Sequence, residues 1–208
     1  MTSRVAIYNM ALSRLGTRAR VADPDEESVE AQNLSVWFDQ ARDSALRAHD
    51  WNFARRYLTL AENGDVARPS IWAYAYSWPA DCLRFRGILP DMRPPVRFEV
   101  ASALDGSSNR VKVIFSNAAQ AGGWYTARIE DTELWDAGFT AAMAAVLAAH
   151  VALPITQNES IAKAKQAEAR QALMEAAAAD ANEGVNQVHE HTPETLAVRG
   201  YTADDGGV

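Results

Sequence analysis

Hydrophobic positions recur with a helical period up to about residue 49 and with the period of a strand from residue 57 onward. The stretch His49-Asp50-Trp51-Asn52-Phe53-Ala54 is therefore a handover between two kinds of structure. Trp51 and Phe53, two apart, share a face if the chain is extended there, and the pair predicts a pin between a helical body and a β module. Upstream, Val5, Tyr8, Leu12 and Leu15 form the stripe of a short amphipathic helix that Gly16 closes. Asp23-Pro24-Asp25-Glu26 then offers a cap, a proline at the first helical position and acids in the first turn. That signal predicts a helix from about 25 to 49, burying Ala31, Leu34, Phe38, Ala41, Ala45 and Ala48, with Trp37 and Leu46 widening the stripe.

Beyond the seam, Tyr57-Leu58-Thr59-Leu60 reads as a strand, and Asn63-Gly64 predicts a hairpin to the next one. Trp72, Tyr74 and Tyr76 alternate with small residues, which predicts three rings on one strand face before Trp78-Pro79 ends it. Asp81 opens a turn into an alternating strand over 82–89, and the breaker-rich stretch from Pro90 to Pro95 follows. Further strands are expected at 96–103, 110–116 and 123–129, the first two joined by the turn Asp105-Gly106-Ser107-Ser108-Asn109.

Asp131, with Glu133 in the first turn, predicts the start of a second helical region carrying Leu134, Trp135, Phe139, Met143, Val146, Leu147, His150 and Leu153, stopped by Pro154. The stretch 137–153 is apolar enough to resemble a membrane span, but its alanines, its His150 and its length favour close helix packing. From Asn158 a last helix is expected to about Asn182, with a thin stripe of Ile161, Ala164, Ala172, Leu173 and Ala176 that suits a ring-forming or extended helix. Residues 184–208 are polar and read as a flexible tail. The fold class is α+β: a mainly α-helical body, an antiparallel bundle of about four helices, with an inserted small antiparallel β module and a flexible C-terminal tail. The divisions are 1–55 and 131–183 for the helical body, 56–130 for the insertion and 184–208 for the tail.

At 208 residues the chain can bury a proper core. One cysteine, Cys82, excludes an internal disulfide framework, and the first twenty residues lack the apolar core of a secretory signal, so folding in a reducing cytoplasm is expected. Net charge is −7, and residues 131–208, with 4 basic and 12 acidic side chains, hold all the excess. An acidic final third argues against non-specific nucleic-acid binding there and suits either a basic partner or a surface that DNA slides past. The basic residues are 17 Arg and only three Lys, with arginine favoured in bidentate interface pairs, although GC-rich codon bias also yields such a count.

The residues with chemical potential mostly have a plainer role. No nucleophile motif surrounds Cys82, and His189-Glu190-His191 in the tail lacks a third metal ligand at a telling distance. His49 and His150 lie on or beside apolar helical faces, where packing histidines are the default. Gly122-Gly123 sits before a strand rather than after one, the reverse of a phosphate loop. The aromatics Trp72, Tyr74 and Tyr76 lack the interleaved cations of a base-stacking surface and read as sheet core. No cofactor or metal is expected.

Taken in order, several motifs resemble one family, the head-to-tail adaptors of short-tailed phages, also called tail tubular protein A. They are Tyr8-Asn9-Met10-Ala11-Leu12-Ser13-Arg14-Leu15-Gly16, Asp50-Trp51-Asn52-Phe53-Ala54, Trp72-Ala73-Tyr74-Ala75-Tyr76 leading to Pro79-Ala80-Asp81-Cys82-Leu83-Arg84, and Tyr125-Thr126-Ala127-Arg128-Ile129 into Asp131, Leu134-Trp135-Asp136 and Phe139. The resemblance spans roughly residues 5–175. It implies a structural virion protein of the tail or neck, not an enzyme, assembling as a ring of twelve subunits. Such a ring sits under the portal protein, extends the DNA channel without specific DNA binding, and receives the tail nozzle protein and tail fibres. No membrane partner is expected. The tail is expected to order on the portal through Leu196, Val198, Arg199 and Tyr201, the apolar and basic groups it offers. Trp51, Asn52, Phe53, Tyr76, Pro79, Asp81, Asp131, Trp135 and Phe139 are expected to be architectural. Three other readings stand beside this one: a head-completion protein of a long-tailed phage, a hydrolase with an unrecognised site, and a nucleic-acid-binding module, against which the acidic end counts.

Overall fold

The structure, a computed structural model, describes residues 3–89 and 95–183. The expected portal anchors Leu196, Val198, Arg199 and Tyr201, the His189-Glu190-His191 motif and the tail assignment lie outside the described residues. Ser3 caps helix α1 (Arg4–Arg14) by accepting from the Ala6 N–H, and Gly16 ends it in the left-handed region at φ 73°. Its buried stripe is Ile7, Tyr8, Ala11 and Leu12, while Val5 is half-buried.

Helix α2 (Val29–Ala48) starts four residues later than the Asp-Pro signal predicts. Glu26 curls back so that its Oε2 accepts from the N–H groups of Ala22 and Asp23, and Asp23 Oδ1 accepts from Asp25, closing 23–26 into a turn. Ser28 supplies the true cap, accepting from Ala31. The buried side is Ala31, Leu34, Phe38, Ala41, Ala45 and Leu46, with Ala48 exposed.

The seam is not extended. Asn52–Ala54 makes one 3-10 turn, and only then does β1 (Arg55–Thr59) begin. The remaining strands are β2 (Tyr74–Ser77), β3 (Cys82–Leu89), β4 (Phe98–Leu104), β5 (Arg110–Ser116) and β6 (Gly122–Ala127). They form two three-stranded antiparallel sheets, ordered β1-β6-β3 and β2-β5-β4. β4 and β5 pair across the expected turn, Leu104 opposite Arg110. The expected β1–β2 hairpin does not form, because residues 60–73 are too long a connection for Asn63-Gly64 to set the register. The chain instead changes sheets there: Leu60 N–H bonds Ala121 O, and the next residues pair with β2 through Ser77 N–H to Ala61 O. Gly122 and Gly123 open β6 rather than sitting in a loop.

Trp72 also departs from expectation. It precedes β2 and packs with Val66, Ala75, Val113 and Phe115 in a small second core, held by its indole N–H to Glu99. Tyr74 and Tyr76 stack at 6.2 Å and face the main core.

Asp131 caps only a 3-10 turn, Thr132–Leu134, and leaves Leu134 exposed. Helix α3 (Ala137–Thr156) is capped by Asp136, whose Oδ1 accepts from Phe139 N–H at 2.7 Å. Pro154 does not stop α3, since in the last turn its missing N–H forfeits a single helical bond. Gln157, at φ 51°, ends the helix two residues later by bonding Leu153 O. At 20 residues α3 is long and apolar enough to cross a membrane by composition alone, yet its middle turns, 142–148, are buried on every side, packed among α1, α2 and the last helix. That last helix, α4 (Glu159–Asn182), is capped by Asn158 and packs on α3 through Ala162, Ala169 and Ala176, with Ala164 exposed. Repeats of seven place these alanines on one seam, where small side chains let two helices approach closely. One hydrophobic core runs through all four helices and both sheets.

Candidate functional site

The structure brings together two aromatic segments from opposite ends of the β insertion. Trp51 sits fully buried with its ring 4.9 Å from Phe139 and edge-on to it, and Phe53 meets the same ring at 5.1 Å. Trp135 packs on Phe139 at 5.0 Å and on Phe38 at 6.3 Å. Both indoles are satisfied locally, Trp51 donating to Ala45 O and Trp135 to Ile129 O. Four expected residues thus form one ring cluster that bolts the end of α2 to the start of α3.

Asn52 does something the sequence did not announce. Its backbone N–H donates to both carboxylate oxygens of Asp180, at 3.1 and 3.2 Å, while its side-chain amide donates to Asp180 O at 2.7 Å. His49 Nε2 reaches the same carboxylate at 3.2 Å. Asp180 is 7% exposed and lies in the last turn of α4, where a carboxylate opposes the helix dipole. The donors from the seam compensate, and the end of α4 is pinned to the seam.

Tyr76, Pro79 and Asp81 hold the second joint. The Tyr76 hydroxyl donates to Ala118 O and accepts from Ala121 N–H, tying the two sheets where the chain crosses. Pro79 O accepts from Cys82 N–H in the turn, and Asp81 accepts from the Tyr125 hydroxyl at 2.8 Å. Burial first, then Asp81, pushes the Tyr125 pKa up to about 12. Burial likewise raises the Cys82 thiol to about 12, which keeps it protonated and poorly nucleophilic at neutral pH. His150 stacks flat on Trp37 at 4.9 Å as a packing histidine.

An arginine cluster surrounds the last carbonyls of α2. Arg84 and Arg86 on β3 both donate to Arg47 O, Arg86 also to His49 O, and Arg47 donates across to Leu83 O. Cations at a helix C-terminus complement its dipole, so the β module grips the helical body here. Arg55 pairs with Asp50 at 3.0 Å, and Asp50 Oδ1, 4.0 Å from Arg86 Nε, is buried without a hydrogen-bond partner. Burial first, and then the neighbouring Arg84, push the Arg86 pKa down. The alternation Arg84-x-Arg86 on a strand facing a helix end was the available signal for this cluster. Asp180, a lone acid on the inner side of an alanine helix, was the signal for the other.

Among the described residues no three His, Cys, Asp or Glu side chains gather as a metal site requires. No protein-family model matches the chain, and no curated protein matches its sequence.

Proposed function

We propose that the chain is a structural subunit of a phage head-to-tail adaptor: it assembles head to tail into a ring under the portal, carries the DNA channel onward and presents a docking surface for the tail nozzle. The observation that carries this reading is the fate of the motifs behind the resemblance. Asp50-Trp51-Asn52-Phe53-Ala54 and Leu134-Trp135-Asp136 with Phe139 fold into one joint that holds the end of α2 against the start of α3, the architectural part the resemblance assigns them. A ring also needs two different sticky patches on one subunit. Large apolar side chains stand exposed on separate elements: Val29 and Val36 on α2, Tyr57 on β1 and Met174 on α4, the last 72% exposed. Light scattering of the purified chain, alone and with portal protein, followed by imaging of any complex, tests the proposal. A ring or portal complex is expected; a chain that stays monomeric and indifferent to portal removes the reading.

A further inference from the structure

The outer face of the β1-β6-β3 sheet is built around an aromatic pair, one ring exposed and the other half-buried. Tyr57 and Trp124 are direct cross-strand partners, so their side chains share a face, and Tyr57 is 63% exposed. Gly87 makes the platform possible: a Cβ there would lie 2.1 Å from the Trp124 ring, so only glycine lets the indole settle onto β3. With Leu89, Arg55 and Asp50 the pair lines a shallow depression of about 260 Å³. Its polar edge carries Asp50 Oδ1, a buried acceptor without a donor. Arg55 lines the depression beside Asp50, and just beyond it Arg86, 4.0 Å from that carboxylate, has Arg47 and Arg84 close by, so the rim on that side is basic. Tyrosine, tryptophan and arginine are the residue types that dominate interface energetics.

The same chain carries the complementary surface elsewhere. Residues 23–30 hold Asp23, Asp25, Glu26, Glu27 and Glu30 and no basic residue. Glu26 is turned inward onto Ala22, Asp23 and Ser28, which shapes the loop and leaves the other acids at the surface. At its end Val29 is 65% exposed, an apolar counterpart for the rings.

We propose that the Tyr57–Trp124 platform of one subunit receives the acidic 23–30 loop of a second copy of this chain, making the head-to-tail contact of the ring. The inference rests on the ring reading and adds to it the two faces that meet. Opposite charge steers the approach, and the rings bury Val29.

Site-directed cross-linking tests the contact. Cys82 is buried and its thiol protonated, so the background is low. Tyr57→Cys chain mixed with Glu27→Cys chain under mild oxidation is expected to give a disulfide-linked dimer in several-fold higher yield than Tyr57→Cys mixed with Ser107→Cys, a β4–β5 turn control. Arg55→Glu is expected to weaken self-association about tenfold, and Asp25→Arg on the partner to restore it, with cooperative thermal unfolding showing that the variants fold. Equal cross-linking in both mixtures, from chains that do form a ring, overturns the contact while leaving the ring reading in place. A chain that never self-associates, with or without portal, overturns both.

Discussion

Asp180 and Asn52, in α4 and at the seam, bind each other from both sides: the Asp180 carboxylate accepts from the Asn52 backbone, and the Asn52 amide donates to the Asp180 carbonyl. The exchange makes the end of α4 depend on a residue from the other half of the chain. Asp180→Ala removes the charged acceptor of the Asn52 N–H and is expected to cost about 1.5–3 kcal/mol. In a cycle with Asn52→Ala the two changes should couple by about 0.5–3 kcal/mol. Hydrogen exchange is the second readout, with amides of the last α4 turn losing protection while those of α3 keep theirs.

Trp51→Ala is expected to destabilise the chain by about 3–5 kcal/mol, through the cavity left between Phe53, Phe139 and His49 and the loss of the bond to Ala45. Denaturant unfolding measures it. A Trp51→Ala chain that kept its stability yet failed to join a portal would make Trp51 an interface residue instead.

Gly87→Ala places a methyl group where the Trp124 ring lies and forces the indole off the sheet. The expected cost is about 1–3 kcal/mol. Trp124→Ala in the same chain should recover part of it, because the obstacle is gone. Loss of stability unaffected by the second change would place the strain in the β3 backbone.

His150 predicts a pH dependence. Burial against Trp37 holds its pKa below the ordinary value of 6.5, so the unfolded chain takes up a proton that the folded chain resists. This contribution is complete above about pH 6.5 and is lost as pH falls toward the folded value. Thermal melts from pH 8 to pH 5 should show a shallower acid-side decline for His150→Gln than for the unsubstituted chain. Identical declines would assign the slope to other groups.

Much of this architecture was legible because it is local. The β4–β5 turn, the cap at Asn158 and the stripes of α1 and α2 are set by residues a few positions apart, and they fall close to where the pattern puts them. What failed was competition among neighbours. Asp23 and Asp131 are good caps in isolation, but Ser28 and Asp136 stand a few residues on and win, because Glu26 and the Trp135 indole fold the intervening chain into turns. Pairing of β1 with β6 was illegible for another reason: both strands suit several partners, and only the whole set of sheets selects one. The candidate platform escaped notice because Tyr57, Gly87 and Trp124 belong to three strands, and nothing in their sequence spacing joins them.

The central place of β6 governs the time course of folding. β6 lies between β1 and β3, and α1 and α2 both rest on α3, so early segments must wait for partners made much later. During synthesis the nascent chain should hold only the β2-β5-β4 sheet and fluctuating helices until residue 127 has emerged, and should shield its first two helices only once α3 is out. We therefore predict that truncation before α3 gives an aggregation-prone chain. In the full chain, φ-values are expected to be high in the β4–β5 hairpin and near zero at Leu58, where β1 meets β6. High φ-values at Leu58 would reverse that order.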